Sequence, residues 1–416
     1  MAVIYNIIFL LYALVSLPVL AVKGKLHRGL WMRLGFLAQE LKFNNPIWIH
    51  AVSVGEVMAM RAFILKLKSA YPNKEIIIST VTATGNKVAR QIVSVDKVIY
   101  LPLDFSFSVE RFIQRIKPAL LVVAETELWP NLIQGFWRHK IPVAVVNARI
   151  SDRSFGRYQI MRFFFKAILR KISIFCAQTD LDAWRLEQIG VGKDKIKVTG
   201  NLKFDVEIKQ SSGQEVYLRQ ALGIKSGVPV LVAASTHPGE EEQLLRVYQK
   251  LLPDFSSLRL VIAPRHPERS SEVKRIVEKK GLSAQLISKM DKPKGAKEIL
   301  ILDTIGKLMD YYAISDVVFM GGSLTKNGGH NILEPAILGK PVLFGPFMFN
   351  FRGIAKLFLD KEAVIGVANE DQLVASLKDL LSYPQKALSL GEKAKQLVLA
   401  GRGAAENNLR VIKDYL

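Results

Sequence analysis

Fourteen short runs of β-branched and aliphatic residues, separated by stretches of helical character, constrain this chain more than any other feature. The first series covers 47–53, 75–82, 97–103, 119–125, 142–148, 174–178 and 195–199. The second covers 230–234, 258–263, 284–287, 298–302, 317–320, 341–344 and 363–367. A strand that is apolar on both faces must be covered on both, and helices between such strands give a parallel sheet sandwiched by helices. Between the two series, 206–215 is polar and carries Ser211, Ser212 and Gly213, the composition of a linker. At 416 residues the chain exceeds one ordinary core. The expectation is an α/β protein with two Rossmann-like domains, 23–205 and 206–416, facing each other across a cleft. The closing helical sequence is able to pack back on the first domain. Ligands of such sheets bind beyond the carboxyl ends of the strands, so the residues that follow strands carry the information.

Charge is uneven. Residues 1–205 hold 29 Lys and Arg against 14 Asp and Glu, a balance of +15, which leaves +6 of the total +21 for the remainder. The first half therefore attracts an anion: nucleic acid, an anionic membrane or a phosphorylated lipid. From Val3 to Val22 the sequence is almost wholly apolar, about the length that crosses a bilayer. Lys23, Lys25, Arg28 and Arg33 follow it, which by the positive-inside rule keeps the rest of the chain cytoplasmic. The expectation is a membrane anchor at 1–22, with a helix lying in the membrane plane as the alternative that Pro18 leaves open. A second basic stretch runs from Arg149 through Arg153, Arg157, Arg162, Lys166 and Arg170, interleaved with Phe155, Tyr158, Phe163, Phe164 and Phe165. It reads as a helix suited to anionic headgroups, or as a solvated face over an aromatic core. Cys176 is the single cysteine, so no internal disulfide forms, and the six histidines show no metal-ligand spacing. No metal and no cofactor are expected. The apolar segment and the carboxylates after strands argue against a nucleic-acid partner.

The strand at 317–320 leads into Gly321-Gly322-Ser323-Leu324-Thr325-Lys326-Asn327-Gly328-Gly329-His330-Asn331-Ile332-Leu333-Glu334-Pro335. A glycine-rich turn between strand and helix lets backbone N–H groups approach a phosphate, and Glu334 about one turn into the helix can accept from ribose hydroxyls. The competing reading is a plain turn with a solvated Glu. Glu56 follows the first strand at a helix N-terminus, either as a general base toward a sugar hydroxyl or as a helix cap. Glu125 and Glu127 end another strand and share a side if strand geometry persists. Lys203 can offset charge on a leaving phosphate, or simply pair with Asp205. In the second half, 234–240 opens a helix as a further anion cradle. Pro264 and Arg265 end one strand, and Asp303-Thr304-Ile305-Gly306-Lys307 forms a loop able to read a base edge.

These segments, taken as 50–57, 125–131, 199–205, 235–241, 263–269 and 321–335, followed by Gly345-Pro346 and Phe349-Asn350-Phe351, resemble the Kdo (3-deoxy-D-manno-octulosonic acid) transferases of lipopolysaccharide synthesis. The match runs from the N-terminal segment to the last helices and preserves motif order. The resemblance implies a GT-B fold, with the N-terminal domain taking the acceptor and the C-terminal domain taking CMP-Kdo. It also implies inverting, metal-independent transfer to a phosphorylated lipid A precursor at the inner membrane. By motif it makes Glu56 the general base and Glu125 and Lys203 the supports of the transition state. It assigns CMP binding to Pro264, Arg265, Ile305, Gly306, Lys307, Asn331, Ile332, Leu333 and Glu334. Lys307 departs from relatives that carry Glu there, which a backbone contact would survive. Lys203, Lys326 and Arg149 are the cations available for the donor's carboxylate. The alternative is a membrane-associated GT-B enzyme using a UDP-sugar and a lipid-linked acceptor.

Overall fold

A computed structural model describes residues 2–22, 29–38, 40–207, 213–290 and 299–416. Lys23, Lys25, Arg28, Ser211, Ser212 and Glu298 lie outside the described residues, as does the side chain of Arg153. The chain divides into two compact units, Met1–Asp205 with Gly401–Leu416, and Val206–Ala400.

In the first unit, seven parallel strands form one sheet. They are β1 (Ile47–His50), β2 (Ile76–Thr80), β3 (Lys97–Tyr100), β4 (Leu120–Ala124), β5 (Val143–Ala148), β6 (Ile174–Ala177) and β7 (Ile196–Val198). Their order is β3-β2-β1-β4-β5-β6-β7. One face packs Trp48, Val123 and Val145 on the helices Ser106–Ile116 and Pro130–Arg138 through Phe112 and Phe136. The other packs Ile49, Val122 and Val146 on the helix Val54–Ala70 and on the closing helix Ala404–Ile412. Burial on both faces is why these strands read as unbroken apolar runs. The closing helix is tied in by Asp205, whose two oxygens accept from the N–H groups of Gly403 at 2.7 Å and Ala405 at 2.6 Å. That satisfies donors a helix N-terminus otherwise leaves open. Asp205 is thereby occupied, and Lys203 finds another partner.

The second unit repeats the plan with β8 (Val230–Thr236), β9 (Arg259–Pro264), β10 (Ala284–Leu286), β11 (Ile299–Ile301), β12 (Val317–Met320), β13 (Val342–Phe344) and β14 (Ile365–Gly366). These too are parallel, in the order β10-β11-β9-β8-β12-β13-β14. In each sheet the strand order reverses beside the first strand, between β1 and β4 and between β8 and β12, where a crevice opens at the carboxyl edge.

Two expectations about the basic half change. The N-terminal segment forms an α-helix, Ala2–Val22, but among the described residues no helix is long and apolar enough to cross a membrane. Its first half is committed to the first unit. Tyr5 donates to Asp104 at 2.8 Å, Asn6 bonds Ser106 and Asn131, Phe9 meets Phe105 edge to face at 4.8 Å, and Ala13 is buried. Polar side chains holding the first turns against a domain are unavailable for a bilayer core, where each would need its own partner. The basic stretch is also two helices rather than one, Asp152–Ile160 and Arg162–Leu169, broken at Met161. The break lets Tyr158 and Phe165, seven residues apart, meet edge to face at 4.6 Å.

Candidate active site

The sharp turn after β1 places Glu56 in the first turn of the helix Val54–Ala70. Its Oε2 accepts from the Val52 N–H at 2.7 Å and its Oε1 from the Ser53 hydroxyl at 3.1 Å. Glu56 thus ties down the turn ahead of its own helix, and the two bonds fix the carboxylate's direction. Burial pushes the Glu56 carboxyl above its ordinary value, the Val52 N–H pulls it back, and Glu125 pushes it up again. A more basic carboxylate, still half-exposed, suits proton abstraction near neutral pH.

Glu125 follows β4 across the same crevice and stands at φ +56°, a left-handed conformation unusual outside glycine. Strand geometry therefore does not persist to Glu127, and the two carboxylates do not share a side by strand alternation. Strain of this kind at a strand end is characteristic of functional loops. Lys203 lies 3.7 Å from Glu125, a pairing across the crevice that the alternative reading with Asp205 did not include. Glu127 is the residue that sequence spacing undervalued. Burial, reinforced by the charges of Glu56 and Glu125, lifts it to about 7. The three glutamates and Lys203 thus form one coupled cluster at the β1/β4 crevice. Arg149 is exposed, held by a backbone exchange with the Thr126 hydroxyl at 3.2 Å and 2.5 Å.

In the second unit the glycine-rich turn corrects an expectation. The N–H groups of Gly322, Ser323 and Leu324 donate to Glu240 at 2.6, 2.9 and 2.8 Å, and His237 N–H does so at 3.1 Å. Glu240 is fully buried. The cradle expected to receive a phosphate is filled by the protein's own carboxylate, and the anion expected at the start of the helix Glu240–Leu251 is that same group. Neighbouring Glu241, also buried, is balanced by Arg269 at 2.9 Å and the Thr236 hydroxyl at 3.0 Å.

What remains open at this edge lies around the turn. Gly322, at φ +68°, leaves room for the rings of His330 and His237, which a side chain there would meet at 3.1–3.3 Å. Their Nε2 atoms are 2.8 Å apart, so one ring donates and the other accepts. Burial holds His330 down at about 4. Nothing in the spacing of two histidines 93 residues apart announced this pair. Arg265 is exposed after β9, next to buried Pro264. Ile305 is 85% exposed, in a loop where Gly306 adopts φ +83° and Lys307 precedes the helix Leu308–Ile314. Lys326 is exposed. The helix bearing Glu334 is only Leu333–Ile337. Asn331 Oδ1 takes the Leu333 N–H at 3.1 Å and its Nδ2 donates to Glu334 at 3.2 Å. Ile332 and Leu333 are wholly buried, so their side chains belong to the core. Among the described residues no group of three His, Cys, Asp or Glu is placed to hold a metal ion.

Two Rossmann-like units with carboxylates at one switch point and Arg, His and Glu at the other have the architecture of GT-B glycosyltransferases. Residues 240–397 match the model of glycosyl transferases group 1. A solved UDP-N-acetylglucosamine 2-epimerase shares the fold, with a TM-score of 0.58 at 15% identity over 90% of this chain and 95% of that one. The N-terminal unit is more specific. Residues 28–206 match the model of 3-deoxy-D-manno-octulosonic-acid transferase (kdotransferase). A 3-deoxy-D-manno-octulosonic acid transferase of Haemophilus influenzae is 36% identical over 89% of this chain and 87% of its own length. Another from Chlamydophila psittaci is 29% identical over 98% and 95%. The chain belongs to the Kdo transferase family and is a glycosyltransferase that transfers Kdo.

Proposed function

We propose that the chain transfers Kdo from CMP-Kdo to a hydroxyl of the phosphorylated lipid A precursor, with inversion, at the cytoplasmic surface of the inner membrane. Glu56 takes the acceptor's hydroxyl proton as that oxygen attacks the anomeric carbon. The bond to the phosphate oxygen breaks, and its electron pair leaves with CMP. The observation that carries this reading is the Glu56 carboxylate, oriented by Val52 and Ser53 and raised in basicity by burial. Lys203 and Glu125, 3.7 Å apart, support the transition state through a fixed charge beside the base. CMP is assigned to Pro264, Arg265, the loop Ile305-Gly306-Lys307 and the segment Asn331 to Glu334. Ile332 and Leu333 serve through their backbone, Glu334 through ribose hydroxyls, and exposed Ile305 as an apolar surface for the base. Lys203, Lys326 and Arg149 remain the cations for the donor's own carboxylate.

Attachment to the membrane surface is supported by the helix Ala2–Val22, whose Leu11, Leu14 and Val15 are exposed, and by Trp31 and Phe36 nearby in sequence. An apolar face on a docked helix lies in a headgroup layer without crossing it. Incubation with CMP-Kdo and the lipid A precursor, followed by mass spectrometry, should show product heavier by one or more Kdo residues. Transfer from a UDP-sugar instead would overturn the donor assignment.

A further inference from the structure

At the far end of the first sheet, away from the glutamate cluster, the helix Arg162–Leu169 and the turn between the helix Asp180–Gln188 and β7 frame an open cavity of about 350 Å³. Arg162, Lys166, Arg170 and Lys195 line it, with Glu187 as the acid on its wall. The first three recur every four residues and so stand one above another, an arrangement in which like charges repel. Among the described residues none of the three makes an ion pair. With Glu187 as the acid of the lining, the wall stays net cationic.

The cavity is built rather than incidental. Gly190 stands at φ +107°, and a side chain there would sit 3.0–3.3 Å from the stem of Lys166. Its bareness lets Lys166 lie along the turn. Lys195 donates to the carbonyls of Arg170 and Ile172, both at 2.9 Å. Two of its three donors thus fix the ammonium in place, leaving one for a ligand. Flanking Arg162 in sequence, at the junction of the two helices, Ile160 and Phe163 are each 87% exposed and Met161 is about half exposed. Such side chains facing water next to a cationic cavity describe a ligand with a charged head and an apolar body.

We propose that this cavity binds the phosphate of an anionic membrane phospholipid, with Ile160, Met161 and Phe163 entering the acyl layer. It is a site separate from the one that performs transfer. The cavity belongs to the β6/β7 end of the sheet, whereas Glu56 and Glu125 follow β1 and β4. A phospholipid of the surrounding bilayer reaches such a peripheral position without competing with the acceptor. The inference rests on the membrane-surface reading above, but its test can fail independently of it.

Binding of the full chain is measured by flotation with phosphatidylcholine vesicles, with and without phosphatidylglycerol. The parent is compared with R162Q/K166Q/R170Q and with a control, K279Q/K361Q/K393Q, that removes three exposed cations of the second unit. The cavity variant should lose on the order of 10- to 100-fold in affinity for phosphatidylglycerol vesicles, and the control less than about threefold. Transfer to a detergent-dispersed acceptor should be the same in all three. Glycerol 3-phosphate should compete with the parent's vesicle binding and not with the variant's residual binding. Equal losses in variant and control would reduce the effect to net charge and overturn the proposal. So would loss of detergent-phase transfer with vesicle binding intact, which would give the cavity to the acceptor. Circular dichroism of the variant, and the single change Lys166→Gln, separate either result from misfolding. If neither the parent nor any variant transfers Kdo while the vesicle result stands, the catalytic reading fails and the phospholipid site survives.

Discussion

Glu56 and Glu240 occupy equivalent places in the two units, each in the first turn of the helix after the first strand of its sheet, and they do opposite things. Glu56 receives two hydrogen bonds and stays half-exposed. Glu240 receives four backbone N–H groups and is sealed from solvent. The difference lies in the number of donors the surrounding loops supply. Two leave lone pairs free for a substrate proton, whereas four hold the carboxylate as a pin. One fold thus leaves an accessible carboxylate in one unit and seals a structural carboxylate in the other.

The largest effect that sharpens this contrast is expected at Glu56. Glu56→Gln keeps an acceptor for the Val52 N–H and offers its amide N–H to the Ser53 oxygen, but it removes the base, so kcat should fall about 10²- to 10⁴-fold while CMP affinity by calorimetry holds. A rate within about threefold of the parent would falsify the assignment. Glu240→Ala should leave catalytic groups in place yet destabilise the chain by roughly 3 kcal/mol or more in urea unfolding, because buried N–H groups lose their acceptor. A stability change below about 1 kcal/mol would break the comparison. Glu334→Ala should weaken CMP about tenfold, as expected for one or two lost hydrogen bonds, with little effect on kcat at saturating donor. Unchanged affinity would remove the ribose role.

The smallest effect is a slope. Burial, with Glu56 and Glu125 adding repulsion, lifts Glu127 to about 7 against an ordinary 4.5. The folded chain then holds a proton that the unfolded chain has released between those values, so stability falls as pH rises through that window. Glu127→Gln should flatten that fall and raise stability above about pH 7 relative to the parent. A slope unchanged by the substitution would mean that Glu127 titrates normally.

Each of the fourteen apolar runs overlaps a strand, because burial on both faces writes itself into continuous β-branched sequence. Glu56 was legible for a similar reason: a carboxylate just after a strand and just inside a helix has few local geometries. The N-terminal helix was legible as a helix but not in its role, since apolarity alone does not distinguish a span from a helix held to a domain by Asn6 and Tyr5. The glycine-rich turn was legible as a donor of N–H groups and illegible as to their acceptor, which comes from Glu240, more than eighty residues earlier. The pairing of His237 with His330 and of Lys203 with Glu125 has the same character.

The sequence by itself determined the local elements, the two parallel sheets, the charge asymmetry and the family, all of which follow from periodicity, composition and motif order along the chain. Tertiary structure alone decided which carboxylate stays accessible and which is sealed, where Asp205 and Lys203 find partners, and that basic side chains spaced four apart line one cavity with Lys195. These are contacts between residues tens to hundreds of positions apart. A hydrogen bond or an ion pair acts over a few ångströms of space, and separation along the chain does not encode that distance until the sheets have formed.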